Sequence, residues 1–280
     1  MRHPAHVLRS LLVPALVVAS AVAVTLTTAR ADDDAGRASV LRSVRRGQYA
    51  DFLARGRAGE GAPSVRVAAF ALEDRPVTRA QFLAFVLATP RWRRGSVPEV
   101  LAESTYLADW SGPLEPGGES LALPVTRVSW HAARAYCRWR GRALPTEAQW
   151  EWAARADARH ADATRDPVYT RQLLAWYARP TGGPQRASGS GAPNLWGVRD
   201  LHGLVWEWVE DFGASMVASD DRERGARDSQ RVCGAGALSG GDASAYATFM
   251  RYAFRSSLRA DFALPTLGFR CAAEASEARR

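Results

Sequence analysis

Lysine is absent from this 280-residue chain: all 37 of its basic residues are arginine, set against 29 acidic ones for a formal charge of +8. The arginines run along the whole length and alternate with acids. That excludes the clustered basic face of a nucleic-acid-binding protein and reads as a coding bias. Histidine is nearly as scarce. Beyond residue 6 only His131, His160 and His202 remain, with no close spacing between any two, so a local three-histidine metal site is excluded. Cysteine occurs at 137, 233 and 271 only, and none lies between Gly234 and Arg270. The longest apolar run, Leu11 to Leu26, is broken by Ser20 and Thr25. It falls short of the ~20 residues that span a bilayer.

That run has another reading. Arg2 and Arg9 precede it, and Ala29-Arg30-Ala31 follows as a small-x-small cleavage site, so residues 1–31 are expected to be a signal peptide. An uncleaved anchor is the alternative. Removing the segment takes away Arg2, Arg9 and Arg30 and lowers the charge to +5. Export implies a periplasmic or secreted, disulfide-permissive location with no transmembrane span after cleavage. About 250 residues then remain, read as one domain.

From Asp32 to about Ser64 the chain is rich in Ala, Arg and Gly. The spacing over Val40 to Leu53 predicts a short helix and a linker, 32–64. Val65 to Leu72 reads as a strand. Thr78 is placed to cap a helix with Phe82, Phe85 and Val86 on one face. Arg91 to Glu119 carries turn residues and reads as a long surface loop. Ser129 caps a helix with Trp130, Ala133 and Cys137 on its buried stripe, stopped at Gly141. Thr146 and Gln149 form a capping box for the next helix, which carries Trp150 and Ala153 into the core.

Three phrases stand out from this frame. They are P-T-E-A-Q-W-E-W-A-A-R (Pro145 to Arg155), P-N-L-W-G-V-R-D-L-H-G-L-V-W-E-W (Pro193 to Trp208) and L-G-F-R-C-A (Leu267 to Ala272). In this order they resemble the signature of the formylglycine-generating enzyme, or sulfatase-modifying factor, family. The resemblance covers Val65 to Ala272 and implies an α+β fold, the formylglycine-generating-enzyme fold related in shape to C-type lectins. It would be a single domain, 65–273, with little regular secondary structure and a flexible tail at 274–280. Ten tryptophans agree with irregular loops packed on aromatic anchors.

The family's oxidases bind copper through two cysteines five positions apart, just before an Arg-x-x-x-Arg phrase, and soft thiolates suit Cu(I). Here that phrase is Arg251 and Arg255. Counting back from it puts Asp242 and Ala247 at the cysteine positions, and counting forward from Gly240-Gly241 puts Ala245 and Met250 there. Neither register holds a thiol, so copper is not expected. Cys137 and Cys271 are expected as buried structural thiols. Cys233, among glycines, is either a packed cysteine or a reactive thiol. Which two cysteines, if any, are bridged does not follow from the sequence.

The polar groups of the implied groove are Asp242, Ser244, Tyr246, Arg251, Tyr252 and Arg255. The two arginines either clamp a carboxylate or pair with Glu207 or Asp261. The family's calcium site implies Asn194, Asp200 and Glu207 as ligands, with Leu204 where an Asn is usual. The other reading of Glu207 is a buried carboxylate paired with Arg251 or Arg255. His202 reads as a structural hydrogen-bonding residue. The expected function is an exported accessory or maturation factor for another exported protein or peptide, such as a respiratory metalloenzyme like nitrite reductase. The alternatives are a periplasmic tailoring oxidoreductase of the siderophore-modifying type and a non-catalytic peptide or glycan binding module. The sequence leaves catalysis and oligomeric state open.

Overall fold

The computed structural model describes residues 38–50, 64–117, 120–178, 186–213 and 243–275, with side chains from 246 onward in the last segment. The expected signal peptide, Cys233, Asp242 and the tail beyond 275 lie outside these residues. The segment expected as a helix is extended instead. It forms β1 (Leu41–Val44) and β2 (Gly47–Ala50), while the strand expected at 65–72 divides into β3 (Ser64–Val67) and β4 (Phe70–Glu73). β1 pairs antiparallel with β4 and β2 with β3, Leu41 opposite Glu73 and Gly47 opposite Val67. The physical reason is β4, all four of whose residues are buried. Its backbone groups need a ladder on both edges. β1 supplies one edge and β7 (Ala272–Glu274) the other, giving the order β1-β4-β7. The N-terminal strands therefore belong to the domain, whose start lies well before 65.

The locally coded helices form where their caps place them. Thr78 and Gln81 make a capping box on α1 (Arg79–Ala88), with Phe82, Phe85 and Val86 buried. Ser129 caps α2 (Trp130–Trp139), and Gly141 follows at φ +70°, the left-handed geometry that ends a helix without a Cβ clash. Thr146 and Gln149 make the capping box of α3 (Glu147–Ala154). Two further helices complete the set: α4 (Pro167–Tyr177), capped by Asp166, and α5 (Ala243–Ser256). A short parallel pair joins β5 (Trp206–Glu207) to β6 (Leu267–Gly268), bringing the second and third sequence phrases side by side.

Two apolar cores result. One gathers α1, α2, Trp208 and Phe269; the other lies beneath β1 to β4 and α3. The stretch 91–119 is not merely a surface loop. Trp92, Ala102, Tyr106, Leu107 and Trp110 are all buried in or against the first core. Six of the ten tryptophans are buried, and two of them bond remote backbone. Trp208 Nε1 donates to Val128 O (2.9 Å) and Trp152 Nε1 to Arg45 O (2.8 Å), so each indole ties its own element to a remote loop. Cys137 and Cys271 are buried as expected, but as a disulfide rather than two thiols, joining α2 to the residue before β7.

Candidate functional site

Of the residues singled out in the sequence, Arg251, Tyr252, Arg255 and Glu207 come together where α3, α5 and β5 meet. α3 places Glu147 and Glu151 one turn apart on one face, and α5 places Arg251 and Arg255 one turn apart on the face opposite. The two pairs interlock. Arg251 donates from Nε (2.8 Å) and Nη2 (2.7 Å) to the two oxygens of Glu151, a bidentate fork. Arg255 Nη1 donates to Glu151 (2.7 Å) and to Glu147 (3.2 Å). All four groups are buried. Burial opposes charge on Glu151, but Arg251 and Arg255 outweigh it and hold its carboxyl at about 2. The arginines are therefore engaged inside the protein rather than open as a clamp for a ligand, and their partners are neither Glu207 nor Asp261.

Glu207 has its own partner. Arg270 donates to both its oxygens, from Nε (2.8 Å) and Nη2 (2.7 Å), and Trp150 Nε1 adds a third donor at 2.8 Å. Trp150 thus lies between the two ion-pair systems, with the Arg255 guanidinium 4.6 Å above its ring. Arg270 is fully buried and also donates to Glu73 O and Arg199 O. The other two expected calcium ligands are equally occupied. Asn194 Oδ1 accepts from the amides of Trp196 and Val198 while its Nδ2 donates to Ala153 O. Asp200, at φ +58°, accepts from the amides of Gly189 and Gly191 and from Arg186. These oxygens face N–H donors and guanidiniums, the opposite of the converging oxygen cage that Ca²⁺ requires. Among the described residues no three acidic, histidine or cysteine side chains form a metal-holding cluster. As arranged, this trio does not fit calcium.

Around the ion pairs sit aromatic hydroxyls, of which sequence reasoning named Tyr252 and missed Tyr49 and Tyr177. Tyr49 from β2 hydrogen-bonds Tyr252 from α5, and Tyr177 from α4 accepts from Arg251 Nη1 at 3.3 Å. Burial, with Glu151 adding its charge, pushes Tyr49 and Tyr252 well above the ordinary phenol range. These hydroxyls stay protonated at neutral pH. His202 accords with its structural reading. Its Nε2 contacts Ala154 O (2.9 Å) and Tyr169 OH (3.2 Å), and its Nδ1 is buried without a partner among the described residues. Burial and the charge of Arg251 lower its pKa to about 4, so the ring is neutral. Of the remaining groove residues, Tyr246 is 37% exposed and Ser244 lies in the first turn of α5. Ala247, one of the two counted-back cysteine positions, is fully buried. The Arg-x-x-x-Arg spacing could have signalled Arg251 and Arg255 as helical neighbours. Nothing local signalled their partners a hundred residues away.

The domain described as sulfatase-modifying factor enzyme 1-like matches residues 36–275, reaching back over β1 and β2. Inactive C-alpha-formylglycine-generating enzyme 2 of Mus musculus is 32% identical over 79% of this chain and 80% of its own length. The formylglycine-generating enzyme of Streptomyces coelicolor is 31% identical over 78% of this chain and 84% of its own. The chain belongs to the formylglycine-generating enzyme family, with that family's α+β domain. Among solved structures, PvdO from Pseudomonas aeruginosa aligns at a TM-score of 0.46 and 17% identity, covering 84% of this chain and 94% of that one. CarF aligns at 0.46 and 18%, covering 85% and 98%.

Proposed function

We propose that this protein is a family member that has lost cysteine oxidation and serves, in an oxidising compartment, as an accessory or maturation factor for another exported protein. One observation carries the reading. Of three cysteines in the chain, Cys137 and Cys271 are bonded to each other, which leaves Cys233 as the single thiol. A Cu(I) site of two thiolates needs a pair, and α5 offers Ala245, Ala247 and Met250 where the two counts fall. The name of the mouse relative, an inactive formylglycine-generating enzyme, accords with a family that tolerates loss of the activity. A buried disulfide and the apolar N-terminal segment before Ala29-Arg30-Ala31 both support export.

The scaffold has been kept while the chemistry has gone. Two fully paired ion systems hold α3, α5, β5 and β6 in place, and such expense of buried charge fixes a geometry rather than supplying a reactive group. A respiratory metalloenzyme is the partner class this reading favours, since such enzymes are assembled after export. The test is deletion of the gene and assay of exported redox enzymes in the same cells. Loss of one enzyme's activity, restored by the wild-type chain, is expected. Full activity of every exported redox enzyme in the deletion strain would overturn the reading.

A further inference from the structure

The surface carries a cleft of about 520 Å³ that shares no residue with the α3–α5 junction. It lies between the end of α1, the 3-10 turn Pro90–Trp92 and the outer face of α2. Its floor is aromatic. Phe85 stacks with Trp92 at 6.5 Å and tilts against Trp139 at 5.7 Å. Trp139 is 41% exposed, large apolar area that neither core consumes. The charged lining is of one sign: Arg91, Arg134 and Arg138, with no carboxylate among the lining residues.

The three arginines are not equivalent. Arg134 is already paired with Glu210 at 2.7 Å and lies over the Trp130 ring at 4.8 Å. Arg91 lies over the Trp92 ring at 5.8 Å, and neither it nor Arg138 has an ion pair among the described residues. A guanidinium stacked on an indole keeps its in-plane N–H fork available for a carboxylate. Arg91, so stacked, and Arg138, which has no ion pair among the described residues, lie on different elements around one aromatic floor and suit two separated carboxylates with an apolar group between them. The volume falls within the range of known ligand sites.

We propose that this cleft docks an acidic peptide segment carrying an aromatic or leucine side chain between its carboxylates. The apolar side chain lies on Trp92 and Trp139, and the carboxylates engage Arg91 and Arg138. The site is independent of the accessory reading, because binding is read directly and no partner's activity enters the test.

The probe is a fluorescein-labelled peptide, Glu-Asp-Trp-Asp-Glu, titrated into the full mature chain by fluorescence anisotropy. Saturable binding is expected, weakened at least tenfold in the Arg91→Glu, Arg138→Glu double variant and at least threefold in Trp139→Ala. Circular dichroism of each variant should match the wild type. If the double variant does not fold, Arg138→Gln alone should still weaken binding severalfold. Equal binding by the folded arginine variants would overturn the proposal. So would equal binding of the counterpart with Lys in place of every acid, or of a peptide with Gly in place of Trp. Indole-3-acetate binding as tightly as the peptide would replace the peptide site by one for small aromatic carboxylates.

Discussion

Glu151 accepts from two guanidiniums at once, so neutralising it leaves Arg255 with Glu147 as its carboxylate and Arg251 with only the neutral acceptors Tyr177 OH, Thr248 Oγ1 and Ala247 O, among the described residues. Removing one partner of a buried pair costs about 3–5 kcal/mol, more than the pair contributes over an apolar substitute. Glu151→Gln should therefore lower stability by that order in urea unfolding. A loss below about 1 kcal/mol would mean that the network is not closed as described. The pH dependence follows from the same neighbourhood. Glu151 titrates at about 2 in the fold against an ordinary 4.5, so its contribution is complete above about pH 4.5 and disappears as pH falls toward 2. His202 acts earlier. Its folded value of about 4 lies below the ordinary 6.5, so the unfolded chain takes up the proton first. Stability should fall between pH 6.5 and 4, by about 3 kcal/mol for a gap of that size. Glu73, raised by burial, works in the opposite sense. The comparison of wild type with His202→Gln isolates the histidine, and the variant should show a flattened profile across that window. An unchanged slope would contradict the buried neutral ring.

Among the elements, α1, α2 and α3 were legible because their signals are local. A capping box and a left-handed glycine act within a few residues and need no tertiary partner. The N-terminal ribbon was not legible. Val44 and Tyr49 are the buried residues of β1 and β2, too few to show a period of two, and the ribbon's register comes from β3 and β4 across the intervening segment. The buried tryptophans of 91–119 were hidden for a related reason, since Pro, Gly and Ser mark turns without saying whether the side chains between them point inward. At the site, Arg251 and Arg255 were named from the sequence, while Glu147 and Glu151 lay within the Pro145 to Arg155 phrase without being singled out. Their pairing was not legible, because it spans sequence separations near one hundred. One β2 residue tests the ribbon's packing. A Cβ on Gly47 would run into the indole of Trp152, which crosses β2 to reach Arg45 O. Gly47→Ala should destabilise by about 1–3 kcal/mol through overpacking, read as a lowered urea midpoint. A neutral or stabilising effect would show that the indole is free to move.

For the whole molecule, the family's scaffold is present while neither register before Arg251 carries a cysteine. Irregular loops are held by tryptophans, by two buried ion systems and by one disulfide closing a separation of 134 residues. None of these requires copper. The disulfide uses two of the three cysteines, and neither stands at the positions before Arg251 where the family's copper pair would fall. The most direct test is to incubate the purified mature chain, charged with Cu(I) and supplied with oxygen and reductant, with a peptide bearing the sulfatase cysteine motif, and to measure the aldehyde by mass spectrometry after hydrazide capture. No aldehyde above the copper-only control is expected. Turnover that depends on the protein and vanishes in Cys233→Ser would contradict the account and restore the chain to the oxidases.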